Sequence, residues 1–147
     1  LKTTVKLSGF KELDRALGEL PKATGRNVLK RVLVGVSEPI AETMQGLAPE
    51  QWQDLKETIA VTTVRPKTKK RKPKRSTVEV YTGPGRNPQA ELQENGTSRH
   101  PPQPFARPAW DRHKDGLLPK IGEELGSEIE KAATRLAKKR ARAAARG

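Results

Sequence analysis

The stretch IAVTTVRPKTKKRKPKRSTVEVYT, residues 59–82, decides how this chain is read. Its two ends, IAVTTVR (59–65) and STVEVYT (76–82), are β-branched and alternate apolar with polar residues, the pattern of half-buried strands. Between them, residues 65–75 carry Arg65, Lys67, Lys69, Lys70, Arg71, Lys72, Lys74 and Arg75 and no acid. The simplest arrangement is a long antiparallel β-hairpin with 66–75 at its tip. Pro66 and Pro73 stop the ladder short of the tip, because proline has no N–H to give. Eight like charges repel one another and are expected to leave the tip mobile.

Upstream, Val5 and Leu7 alternate in TTVKL (3–7), as in a short strand. Ser8 is placed to cap a helix over 9–20, whose apolar face is Phe10, Leu13, Leu17 and Leu20. Pro21 ends it. Thr24 is placed to cap a second, longer helix along Val28, Leu29, Val32, Leu33, Val36, Ile40, Met44 and Leu47. Pro39 interrupts that pattern and predicts a kink or break near Ser37. Trp52 and Leu55 mark one helical turn after Ala48-Pro49.

Downstream, GPGRNP (83–88) is turn material. Residues 89–97 read as a helical turn or a strand before Asn95-Gly96. Four prolines in PPQPFARP (101–108) argue against regular structure there. A helix begins near Ala109, and the clearest helix follows Leu118, Ile121, Leu125, Ile129, Ala132 and Leu136. Its glutamates fall early and its Lys/Arg late, matching the helix dipole. The end, KKRARAAARG, has little apolar surface to bury, which predicts fraying or a partner. The expected fold class is therefore α+β. It is a small antiparallel sheet with a long β-hairpin, packed by two N-terminal helices and a C-terminal helix. Residues 1–136 form one domain and 137–147 a basic tail.

Composition narrows the function. The chain has 147 residues, 33% hydrophobic and only 3% aromatic, so a large enzyme with a deep apolar pocket is excluded. No cysteine is present, which excludes a disulfide framework and any thiolate metal site. No run of 18 apolar residues occurs, and the first residues lack the apolar core of a signal peptide. A soluble protein of a reducing compartment, without membrane contact, is expected. The net charge is +13, but 15 of the 30 Lys/Arg lie in 65–75 and 131–147, which hold no acid. The remaining body is near neutral, at −2. Clustered charge of this kind points to localised anion contact.

No catalytic or cofactor pattern emerges, and a non-enzymatic protein without cofactor is expected. His100 lies in the proline-rich loop and His113 follows Asp111-Arg112. No serine sits in a nucleophile elbow. Glu91, Glu94 and His100 are possible metal ligands around the Asn95-Gly96 turn, but exposed charges beside a turn are the preferred reading, and no metal is assigned. Gly83-Pro84-Gly85 lacks the Lys-Ser/Thr of a phosphate loop. The basic tip suits salt-sensitive, sequence-independent contact with DNA or with an acidic partner. Tyr81 lies outside the tip, so no stacking platform is present there. The basic tail poses the same choice. Membrane contact is disfavoured for it, because its stripe has no Trp or Phe.

Three segments together carry a resemblance. They are Phe10-Lys11-Glu12-Leu13-Asp14-Arg15-Ala16-Leu17, Leu47-Ala48-Pro49, and Glu94-Asn95-Gly96-Thr97 followed by Pro101-Pro102-Gln103-Pro104-Phe105-Ala106-Arg107-Pro108-Ala109. The last resembles the signature E-x-G-T … P-x-P-F-x-R-P-A of the small tail-completion, or head–tail joining, proteins of long-tailed, lambdoid-type bacteriophages. That resemblance implies a structural virion protein of the neck or tail, assembled in the host cytoplasm. It implies a homo-oligomeric ring, expected to be sixfold, which completes the tail as terminators do and meets the head connector or stopper and the tail tube. Glu94, Gly96, Thr97, Pro104, Phe105, Arg107, Pro108 and Trp110 become candidate subunit contacts. Core anchoring of the C-terminal helix is the preferred use of Phe105 and Trp110. Arg65 to Arg75 become candidate contacts to genome DNA in the channel or to an acidic rim. The alternative is a sequence-independent nucleic-acid-binding basic protein.

Overall fold

The computed structural model describes residues 10–65, 67 and 78–147. Five helices and two strands follow in the order α1 (Phe10–Glu19), α2 (Lys22–Leu47), α3 (Gln53–Thr58), β1 (Ala60–Thr62), β2 (Tyr81–Gly83), α4 (Pro88–Asn95) and α5 (Ala106–Arg146). The α+β expectation with a long hairpin is corrected by this architecture. The described chain is mostly helical, and its sheet is two strands of three residues each.

The reason for the short ladder lies in Thr62. The antiparallel register is Ala60 with Gly83, Val61 with Thr82 and Thr62 with Tyr81. Immediately beyond, the Thr62 hydroxyl accepts the backbone N–H of Val64 at 3.0 Å. A threonine that bonds its own neighbouring backbone competes with the ladder. The alternation of 59–65 survives in the burial, since Ile59 is buried and Val64 is 74% exposed. Pairing stops, however, at Thr62. The Val5–Leu7 strand and the Ser8 cap lie outside the described residues.

α2 and α5 form the backbone of the molecule as an antiparallel pair. Thr43 faces His113, and Arg31 meets Glu128 at 3.2 Å, which fixes the direction. Two apolar clusters line this pair. Val28, Val32 and Val36 of α2 pack with Leu125, Ile129 and Ala132 of α5 under Leu20. Ile40, Ala41 and Met44 pack with Leu55, Ile59, Ala90, Phe105 and Ala109. Leu117 touches both. α1 lies over α5 where that helix is thinnest. A side chain on Gly122 would stand 3.3 Å from the Phe10 ring, and Gly126 faces Leu13.

Several local expectations change. α2 starts at Lys22 rather than after Thr24, with the Pro21 carbonyl accepting the Gly25 N–H at 2.9 Å. Pro39 does not break the helix, which runs on to Leu47. The hydroxyls of Ser37 and Thr43 donate to Leu33 and Pro39 carbonyls, at 2.7 and 2.8 Å, on either side of the missing N–H. The packing of Val36 and Ile40 on both sides of Pro39 holds the two halves in one element. The separate helix starts near Ala109 and Leu118 are one 41-residue helix through Gly116 and Pro119. That helix extends to Arg146, with every residue from 137 onward exposed.

Candidate functional site

The signature segment builds one interlocked corner between α4 and α5. Asn87 caps α4, its side chain accepting the Gln89 N–H at 3.0 Å, and Pro88 takes the first turn, where no N–H is needed. α4 ends at Gly96, whose φ of 75° and ψ of 178° belong to a region that only glycine occupies without strain. Space makes the same demand. A Cβ on Gly96 would lie 2.7 Å from the Pro102 nitrogen. The Thr97 hydroxyl then accepts the backbone N–H groups of Arg99 and His100, at 3.2 and 3.1 Å, while the Thr97 N–H donates to the His100 carbonyl at 2.9 Å. Gln103 N–H donates back to Gln93 at 2.7 Å, tying the proline loop to α4.

Glu94 closes the corner. One carboxylate oxygen accepts the N–H of Phe105 at 2.8 Å and of Ala106 at 2.9 Å. The other accepts the N–H of Arg107 at 2.9 Å. The first N–H groups of a helix have no partner within it. Here Glu94 takes those of Ala106 and Arg107, Pro108 has none to offer, and Ala109 is the first to find a carbonyl within the element, that of Phe105 at 3.3 Å. The charge also faces the positive end of the α5 dipole. Partial burial opposes ionisation of Glu94. The backbone donors of Ala106, Phe105 and Arg107, and the Arg107 charge, outweigh it and hold the carboxyl below its ordinary pKa.

The sequence-proposed contact residues thus divide. Glu94, Gly96, Thr97 and Pro108 build the corner. Phe105 is 1% exposed and anchors α5 in the core, as the preferred reading had it. Trp110 does not share that role, being 48% exposed. Pro104 and Arg107 are exposed, and with Pro102, Pro108 and Asp111 they line a shallow groove on the outer side of the corner. Leu92 of α4 is also half exposed nearby in sequence to Glu94. Arg65 is partly buried and Lys67 exposed. Lys69, Lys70, Arg71, Lys72, Lys74 and Arg75 lie outside the described residues. Among the described residues no group of three His, Asp or Glu side chains is arranged to hold a metal ion. No described helix is long and apolar enough to cross a membrane.

Sequence reasoning missed the Glu94 clamp, because the cap and its helix are eleven residues apart and no local pattern joins them. It also missed an arrangement within the basic tail. Arg135, Lys138, Lys139, Arg142 and Arg146 lie together along one exposed stretch of α5. Their spacing of three and four is visible in the sequence once the helix is known to continue.

Comparison with protein-family models, with curated proteins and with solved structures finds no match for this chain.

Proposed function

We propose that this chain is a structural, non-enzymatic component of the neck or tail of a long-tailed bacteriophage. It acts as one subunit of a sixfold ring that completes the tail and joins it to the head connector. The observation that carries the reading is the signature corner. Glu94, Gly96, Phe105, Pro108 and Ala109, the residues of the resemblance, each have a specific task in joining α4 to α5. A resemblance whose residues form a single structural unit is stronger support than the same residues scattered over the fold.

The corner also leaves a surface for neighbours. Pro104 in the proline loop and Arg107 and Trp110 on the first turns of α5 are exposed and held by the corner, so a contact made through them costs little ordering entropy. Exposed aromatic and arginine side chains on a rigid element suit subunit contacts. Ring neighbours would also cover Leu92 and Leu118, which the isolated chain leaves about half exposed. In this reading the basic segment 65–75 faces channel DNA or the acidic rim of the adjoining ring.

Quantitative mass spectrometry of purified particles tests the proposal. The chain is expected in copy numbers of a single ring, retained after the genome is released. Its absence from finished particles would overturn the reading.

A further inference from the structure

We infer that the C-terminal third of α5 is a docking surface for the phosphate backbone of double-stranded DNA, separate from segment 65–75. This surface is a property of the helix itself, independent of the ring reading.

Every residue from 137 to 147 is exposed, although α5 remains helical to Arg146. At 100° per residue, Arg135, Lys138, Lys139, Arg142 and Arg146 fall within an arc of about 100°. They span about 16 Å along the axis. Lys131 continues the same face but is tied to Glu128 at 3.2 Å. The other five have no carboxylate partner among the described residues. They are neighbours at three and four residues, so each repels the next, and like charges at that spacing weaken a helix. A polyanion lying along the stripe reverses that repulsion.

The rest of the tail narrows the partner. After Leu136 the non-basic positions before Gly147 are all alanine. An interfacial membrane helix needs a large apolar face opposite its charges, and this one has none. No aromatic side chain lies in 131–147, so unpaired bases have nothing to stack on. What remains is an unbroken row of cations on flexible stems. That suits a regular line of phosphates, with one charge per ~1.7 Å of duplex axis.

The test is binding of the full-length chain to a labelled mixed-sequence DNA duplex across a salt series. One variant carries Lys138→Gln, Arg142→Gln and Arg146→Gln. A charge-matched control carries Arg99→Gln, Arg112→Gln and Arg140→Gln, three exposed cations off the stripe. Helical content by circular dichroism verifies that both variants fold. Each phosphate contact contributes about 0.9 to the slope of log affinity against log salt, so the stripe variant is expected to lose about 2 to 3 from that slope. The control is expected to keep it. Equal losses in both variants, an unchanged slope in the stripe variant, or no duplex binding at low salt would overturn the inference. So would binding to anionic phosphatidylserine vesicles in preference to the duplex.

Discussion

Glu94 and Phe105 are joined across eleven residues by a 2.8 Å hydrogen bond from the Phe105 N–H to the Glu94 carboxylate. That bond places the end of α4 against the start of α5 and points the Phe105 ring into the core. Removing the acceptor in Glu94→Ala leaves three backbone donors without their partner. The expected loss is about 2 kcal/mol, the upper range for a helix cap. Urea unfolding of the variant beside the parent chain measures it.

The same carboxylate makes stability depend on pH. Its folded pKa is lowered, so its contribution is present in full above about pH 4.3, the value of a free glutamate. It is lost as pH falls from there through the lower folded value. Glu94→Gln removes that titration. Its unfolding free energy is expected to fall less steeply below about pH 4.3 than that of the parent, measured by urea unfolding at a series of pH values.

Gly96→Ala tests the tight corner. The substitution meets a glycine-only backbone conformation and a 2.7 Å approach to the Pro102 nitrogen at once. A loss of about 2–4 kcal/mol is expected, above the 1–3 kcal/mol typical of backbone strain alone. Thermal unfolding is the measurement.

Two glycines of α5 separate propensity from packing. Gly116 is exposed, with nothing within 4 Å of the Cβ it lacks. Gly116→Ala is therefore expected to stabilise by about 0.8–1 kcal/mol. Gly122 is covered by Phe10 of α1. Gly122→Leu is expected to destabilise, because α1 must lift from α5 to admit the side chain. Denaturant unfolding of both variants measures the two opposite effects.

Legibility in the sequence followed the range of the interaction. The apolar rows of α2 and α5 were readable, since Val28, Val32, Val36 and Leu125, Ile129, Ala132 repeat at helical spacing and do form the buried seam. The hairpin ladder is shorter than its sequence suggests. Residues 59–65 have β-branched alternation, yet strand length depends on pairing, and the Thr62 hydroxyl diverts the chain after three residues. Of the kink or break that Pro39 predicts, the break does not occur, since the local rule omits the packing on both sides of it. In the site, Gly96 was recognisable as a turn glycine, whereas the reason for it, the ring of Pro102, lies six residues on. The clamp of Glu94 on α5 was invisible for the same cause.

Under the proposed ring assembly, Trp110 distinguishes a contact residue from a fold residue. It is half exposed, so Trp110→Asp is expected to leave the melting temperature nearly unchanged. The same variant is expected to fail in complementing a phage that lacks this gene, measured as plaque titre.

The central claim, a joint between head and tail, is tested most directly by electron microscopy of a lysate from a phage lacking this gene. The account predicts filled heads accumulating apart from tails, or tails of uncontrolled length. Normal, fully joined and infectious particles would contradict it.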